Sequence, residues 1–254
     1  MVYPKMVVPG VASHWTHQSL TSLKLRKCRN VTRTILPVTS PAKNNAQNAL
    51  LQADLKVVCY GDSNTAGWCL KGAKFEPYAC WLHMALLTAG RICEVSHAGL
   101  CGLTAAEMVA TMNAVSIHDC FGREEKGLMQ YVEKNKPDLV IIMAGTNDLG
   151  KGAQPECILR NIASLHEACH VKGVQTIAVA PPGPMSCLKL RDCLAAMLQV
   201  WAGANSNVVA YCDVEDLLPH GAHGYWEPDE FHFSPVGSRA LGNRLCPLVM
   251  QCKK

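Results

Sequence analysis

The stretch Leu139-Val140-Ile141-Ile142-Met143 limits the fold of this 254-residue chain more than any other. It is apolar at every position and rich in β-branched side chains, so it reads as a strand. A strand with one wet face would alternate polar and apolar residues. A continuous apolar run instead needs cover on both faces, as in a parallel sheet packed between helices. Further strand-like runs, less uniformly apolar, lie at Lys56–Cys59, Arg91–Ser96, Gln175–Ala180 and Val208–Cys212. Helical spacing lies between them. Tyr78, Trp81, Leu82, Ala85 and Leu86 share a face, as do Ile158, Ile162, Leu165 and Cys169 after Pro155, and Leu190, Leu194, Met197, Leu198 and Trp201. Thr104-Ala105-Ala106-Glu107 is a capping box, with Met108 and Met112 on the face behind it. A weaker helical pattern covers Glu124–Glu133, and Ser234-Pro235 opens a last helix bearing Leu241 and Leu245. Five strands, each followed by a helix, predict an α/β fold: a three-layer α/β/α sandwich on a five-stranded parallel sheet.

The pattern begins at residue 54. Seven of the 24 Lys and Arg residues precede it and none of the 20 Asp and Glu residues does. Residues 1–53 therefore read as a disordered basic extension or an organellar transit peptide, and residues 54–254 as the globular domain. That domain is slightly acidic, which argues against nucleic acid as a partner. No apolar run is long enough for a membrane-spanning helix. The fourteen cysteines form no Cys-x-x-Cys pair and no zinc spacing, and read as thiols of a reducing compartment. With no secretory signal pattern, an intracellular protein, cytoplasmic or organellar, is expected.

In a parallel α/β sheet, sites lie beyond the carboxyl ends of the strands. The loops there carry the reactive residues. Gly61-Asp62-Ser63 follows the first strand, and its glycine allows a sharp turn that leaves a serine hydroxyl at the sheet edge. Gly102 after the second strand offers a backbone N–H. Gly145-Thr146-Asn147-Asp148 after the third supplies an amide donor at Asn147, with Gly145 permitting the turn. Asp229 and His232, three residues apart before the last helix, can face one another and leave one ring nitrogen as a base toward Ser63. These are the ingredients of acyl transfer: nucleophile, base, orienter and oxyanion donors.

The four segments, in this order, resemble the four blocks of the SGNH (GDSL-type) hydrolases, and the resemblance runs from about residue 55 to the C-terminus. It implies a flavodoxin-like fold and a cofactor-free hydrolase acting on small-molecule esters. It further implies Ser63 as nucleophile, His232 as base and Asp229 as its orienter. The oxyanion would be held by the Ser63 and Gly102 N–H groups and the Asn147 side chain, with Asp62, Gly61 and Gly145 in support. Two positions depart from the family pattern. Asn64 stands where leucine usually follows the serine, a change expected not to touch the chemistry, and His97 stands where asparagine is common. Asp213 or a backbone carbonyl is the competing partner for His232. His220 and His223 make an H-x-x-H pair without a third ligand and read as solvated loop histidines, so no metal is expected. His97, His166 and His170 read as structural, and Cys59 and Cys101 as too apolar in setting to be nucleophiles. Acyl transfer to an alcohol acceptor is the rival within enzymes. A non-catalytic carbohydrate- or lipid-binding module is the rival outside them. No phosphate-binding glycine pattern supports a nucleotide reading.

Overall fold

The structure, a computed structural model, describes residues 53–221 and 224–252. The expectations for residues 1–52 and for His223 lie outside the described residues. Strand β1 (Leu55–Gly61) leads into the one-turn helix α1 (Ser63–Ala66). A small hairpin follows, β2 (Trp68–Cys69) pairing with β3 (Lys74–Phe75), and then helix α2 (Tyr78–Thr88). Strand β4 (Cys93–Gly99) precedes α3 (Ala105–Ala110), where the capping box is present in full. A second hairpin, β5 (Ile117–His118) with β6 (Glu124–Glu125), comes before α4 (Leu128–Asn135). The remaining units are β7 (Leu139–Met143), α5 (Thr146–Gly150), α6 (Pro155–Val171), β8 (Gln175–Ala180), α7 (Leu188–Gly203), β9 (Val208–Asp213), α8 (Val214–Leu217) and α9 (Pro235–Met250).

The main sheet has five strands in the order β4-β1-β7-β8-β9, all parallel. This is the flavodoxin-like order, and its topological switch puts a crevice at the carboxyl ends of β1 and its neighbours. The double cover predicted from the continuous apolar run is present, because side chains alternate between two buried layers. Val58, Tyr60, Val140, Ile142, Ala178 and Ala180 join a core with residues of α3, α4, α6 and α7. Leu55, Val57, Cys59, Leu139, Ile141, Met143, Ile177 and Val179 join a second core with α2 and α9. All five residues of β7 are buried.

Two elements differ from their sequence expectation. The second strand starts at Cys93 rather than Arg91, because the Arg91 N–H is held by the Leu86 carbonyl at the end of α2 (2.9 Å). It runs on to Gly99 because β1 offers partners as far as Gly61. Glu124 and Glu125 form strand, not helix, since Asp119 Oδ1 accepts from the amides of Phe121 and Arg123 (2.9 Å each) and folds a turn that returns the chain onto Ile117–His118. Helix begins only after the extended Gly127.

His166 and His170 lie 2.7 and 2.9 Å from the Thr176 hydroxyl, near the amino end of β8 and so away from the crevice. Burial pushes His166 down to about 3, and it stays neutral in the folded protein. His97, on β4, is likewise lowered by burial.

Candidate active site

Close backbone approach fixes the turn after β1. A Cβ on Gly61 would collide with the Met143 carbonyl oxygen and the Thr65 hydroxyl, so a side chain there would force β1 away from β7. Asp62 follows, fully buried, and caps α1 by accepting from the Asn64 amide at 2.9 Å. Burial raises its carboxyl pKa, and its place is that of a support for the turn. Ser63 is the first residue of α1 and is 6% exposed. The cap thus aims the hydroxyl while the helix restrains its backbone.

The loops after β4 and β7 are tied to this turn and to each other. The Leu100 amide donates to the Gly61 carbonyl at 2.8 Å. Gly102 takes a left-handed φ of +79°, and Gly145 one of +118° at the start of α5. Asn147 donates from Nδ2 to the Leu103 carbonyl at 2.9 Å, and Asp148 Oδ2 accepts from the Ala105 amide at 2.8 Å. These two bonds fix the Asn147 segment on the loop carrying Gly102. One amide hydrogen of Asn147 is used in this way, and the other remains for a ligand.

The fourth segment closes the set. His232 Nε2 lies 2.9 Å from Ser63 Oγ, across 169 residues of sequence. His232 Nδ1 lies 2.8 Å from Asp229 Oδ2, while Asp229 Oδ1 accepts from the amides of His232 (3.0 Å) and Phe231 (3.2 Å). Partial burial pulls the Asp229 carboxyl up, but the His232 side chain and these amides outweigh it and hold it below the usual range. Asp229 is therefore ionised at neutral pH. Asp213 is engaged elsewhere: it pairs with the buried Arg191 guanidinium and caps α8 by accepting from the Glu215 amide at 2.8 Å.

Two residues do more than the sequence reading gave them. Asn64 is 1% exposed and holds the His232 segment from both sides. Its Nδ2 donates to the Phe231 carbonyl and its Oδ1 accepts from the Phe233 amide, each at 3.2 Å. The sequence reading set this departure from leucine outside the chemistry; leucine can make neither bond, so Asn64 holds the segment that carries His232 in a way the usual residue would not. Asn64→Leu is expected to lower kcat about 10- to 100-fold with KM nearly unchanged, because a displacement of about 1 Å in a catalytic group costs that order. Steady-state kinetics on one ester substrate checks it. Unaltered kcat would reduce Asn64 to a packing residue.

His220 is the second. It is not a solvated loop histidine: its Nδ1 lies 2.6 Å from Glu215 Oε2 and its Nε2 2.6 Å from the Glu230 carbonyl. Trp226 stacks on it at 4.2 Å, nearly parallel, and donates from Nε1 to the Leu218 carbonyl at 3.1 Å. Glu230 sits at a left-handed φ of +62° between Asp229 and His232, so His220 grips the strained point of the segment that carries both. Trp226 and the buried Tyr225 thus pack this loop.

Burial pushes the thiols of Cys59 and Cys101 up to about 12, far from nucleophilic. Among the described residues no group of three or more His, Cys, Asp or Glu is placed to hold a metal ion, every cysteine is free, and no helix is long and apolar enough to cross a membrane.

Solved structures share this architecture. A putative lipolytic protein of the G-D-S-L family from Desulfitobacterium hafniense superposes with a TM-score of 0.60 at 20% identity, over 77% of this chain and 99% of that one. A carbohydrate esterase of family 3 from Talaromyces cellulolyticus gives 0.59 at 16% identity, over 78% and 97%. An acetyl-xylooligosaccharide esterase from Geobacillus gives 0.60 at 17% identity, over 78% and 95%. At these identities the likeness is one of fold. No curated protein sequence matches the chain. The model of the GDSL-like lipase/acylhydrolase family does match it over residues 59–240, a span that holds Ser63, Gly102, Asn147, Asp229 and His232. The chain belongs to that family.

Proposed function

We propose that residues 54–254 form a serine esterase that cleaves carboxylic esters of small molecules through an acyl-enzyme. The observation that carries this reading is the unbroken line Ser63 Oγ–His232 Nε2–His232 Nδ1–Asp229 Oδ2, at 2.9 and 2.8 Å. With Nδ1–H donated to the ionised Asp229, Nε2 keeps its lone pair and accepts the Ser63 proton as Oγ attacks the ester carbonyl. Negative charge then develops on the carbonyl oxygen, where the Ser63 and Gly102 N–H groups and the second Asn147 hydrogen act as donors. His232, now protonated, gives its proton to the leaving alcohol. Water repeats the two proton transfers and frees the acid. Gly61, Asp62 and Gly145 hold the loops in which these groups stand.

Family membership supports a hydrolase, and the two esterases among the fold neighbours, one of them an acetyl-xylooligosaccharide esterase, support ester bonds, with acetyl esters as the first to try. A panel of p-nitrophenyl esters of rising acyl length, with fluorophosphonate labelling of Ser63 read by peptide mass, tests it. Hydrolysis and a single adduct on Ser63 are expected; a folded protein that shows neither is not an esterase. In the same assay Asn147→Ala is expected to lower kcat about 10²- to 10³-fold, the effect of losing one oxyanion donor.

A further inference from the structure

We infer that Trp68, Phe121 and Phe75 form the subsite for the leaving alcohol, and that the alcohol it takes carries a ring with a flat apolar face. The inference rests on the acyl-enzyme reading above and gives it a substrate class. The Trp68 ring lies 4.2 Å from the His232 ring, centroid to centroid. Phe121 stacks on Trp68, 6.4 Å away at 21°, and Phe75 meets Phe121 edge-on at 6.5 Å. Phe121 neighbours Cys120, and a Cβ on Gly102 would come within 2.9 Å of the Cys120 sulfur. The aromatic row therefore runs from the base toward the oxyanion glycine.

Chemistry decides which half of the ester meets this row. His232 Nε2 must reach the departing oxygen to protonate it. Two rings pack 4.2 Å from the imidazole, Phe231 and Trp68, and only Trp68 continues into a row of further rings, so the alcohol is assigned to the Trp68 side. The backbone that carries Phe121 and the ring of Phe75 each have a partner. The Phe121 amide is held by Asp119 Oδ1 at 2.9 Å, and the Arg123 guanidinium lies 4.2 Å over the Phe75 ring. Yet Phe121 is 56% exposed. An exposed ring stacked on the residue that packs against the base offers a surface on which a substrate ring can stack. Charge is not what it selects, because Arg123 is paired with Asp119 (3.6 Å) and Glu125 (3.7 Å). The shared chemistry of aryl rings and of the C–H face of a pyranose fits.

The test compares three acetate esters on the wild type and on Phe121→Ala: phenyl acetate, an O-acetylated pyranoside and ethyl acetate. The ratio of kcat/KM for a ring-bearing ester to that for ethyl acetate is expected to fall about tenfold in the variant, the order of one aromatic contact. Which ring ester shows the larger fall separates aryl from sugar. Trp68→Ala, which also touches His232, is expected to lower the same ratio and kcat together. Equal losses on all three esters, or a loss that tracks acyl length in ethyl esters instead, overturn the inference and leave the esterase reading standing. A wild type that neither cleaves these esters nor takes fluorophosphonate on Ser63 overturns both.

Discussion

Ser63→Ala is expected to lower ester turnover by about 10⁴- to 10⁶-fold, the loss that follows removal of a triad nucleophile. The fold should survive the change. Capping of α1 is done by Asp62 rather than Ser63, and the serine hydroxyl's side-chain partner is Nε2 of His232. A shift in Tm of no more than a few degrees is therefore expected, since no buried apolar contact is lost and the cap is kept. Some activity above the uncatalysed rate should persist, because Gly102 and Asn147 are left to polarise a carbonyl while water attacks. The nearby thiols cannot take over, as burial holds Cys59 and Cys101 at about 12. Wild-type turnover in a correctly folded Ser63→Ala protein would end the acyl-enzyme proposal.

What the sequence makes legible here is local. The residues of β7 state their own burial, and Asp229 and His232 stand close enough in the chain for their pairing to follow from spacing. The general rule that loops at the carboxyl ends of parallel strands meet does the rest, placing Ser63 beside a histidine 169 positions away. The Asn64 clamp is a different case. It bonds to backbone atoms of Phe231 and Phe233, so nothing in the side chains at either end announces it. The contact of His220 with the Glu230 carbonyl was hidden for the same reason. Periodicity also missed the strand at Glu124–Glu125, because two residues are too few to show a period and the Asp119 turn that creates the hairpin is a side-chain-to-backbone device. The aromatic row needed both hairpins in place before Trp68, Phe75 and Phe121 became neighbours.

Asp229→Asn is expected to cost about 10⁴-fold in kcat while the fold is kept. The amide can keep accepting from the His232 and Phe231 N–H groups through its oxygen, so the turn at Glu230 should hold. What it cannot do is present an acceptor to Nδ1–H and a negative charge to the imidazolium. Offered an NH₂ group, Nδ1 becomes the acceptor, the proton moves to Nε2, and the nitrogen facing Ser63 no longer has a lone pair. The sign of the pH effect on stability follows from the depressed Asp229 pKa. Its stabilisation is present above the unfolded carboxylate value of about 3.9 and is lost as pH falls through the lower folded value. Wild type and Asp229→Asn should therefore differ in Tm at neutral pH and converge in strong acid. Asp213→Asn is the control that separates orientation from support. It weakens the Arg191 pair, and Arg191 also donates to the Pro181 carbonyl at 3.0 Å, so stability should drop while the His232 tautomer is untouched. Were Asp213→Asn to cost more turnover than Asp229→Asn, the orienting role would belong to Asp213, and the line from Ser63 through His232 would end on a different carboxylate.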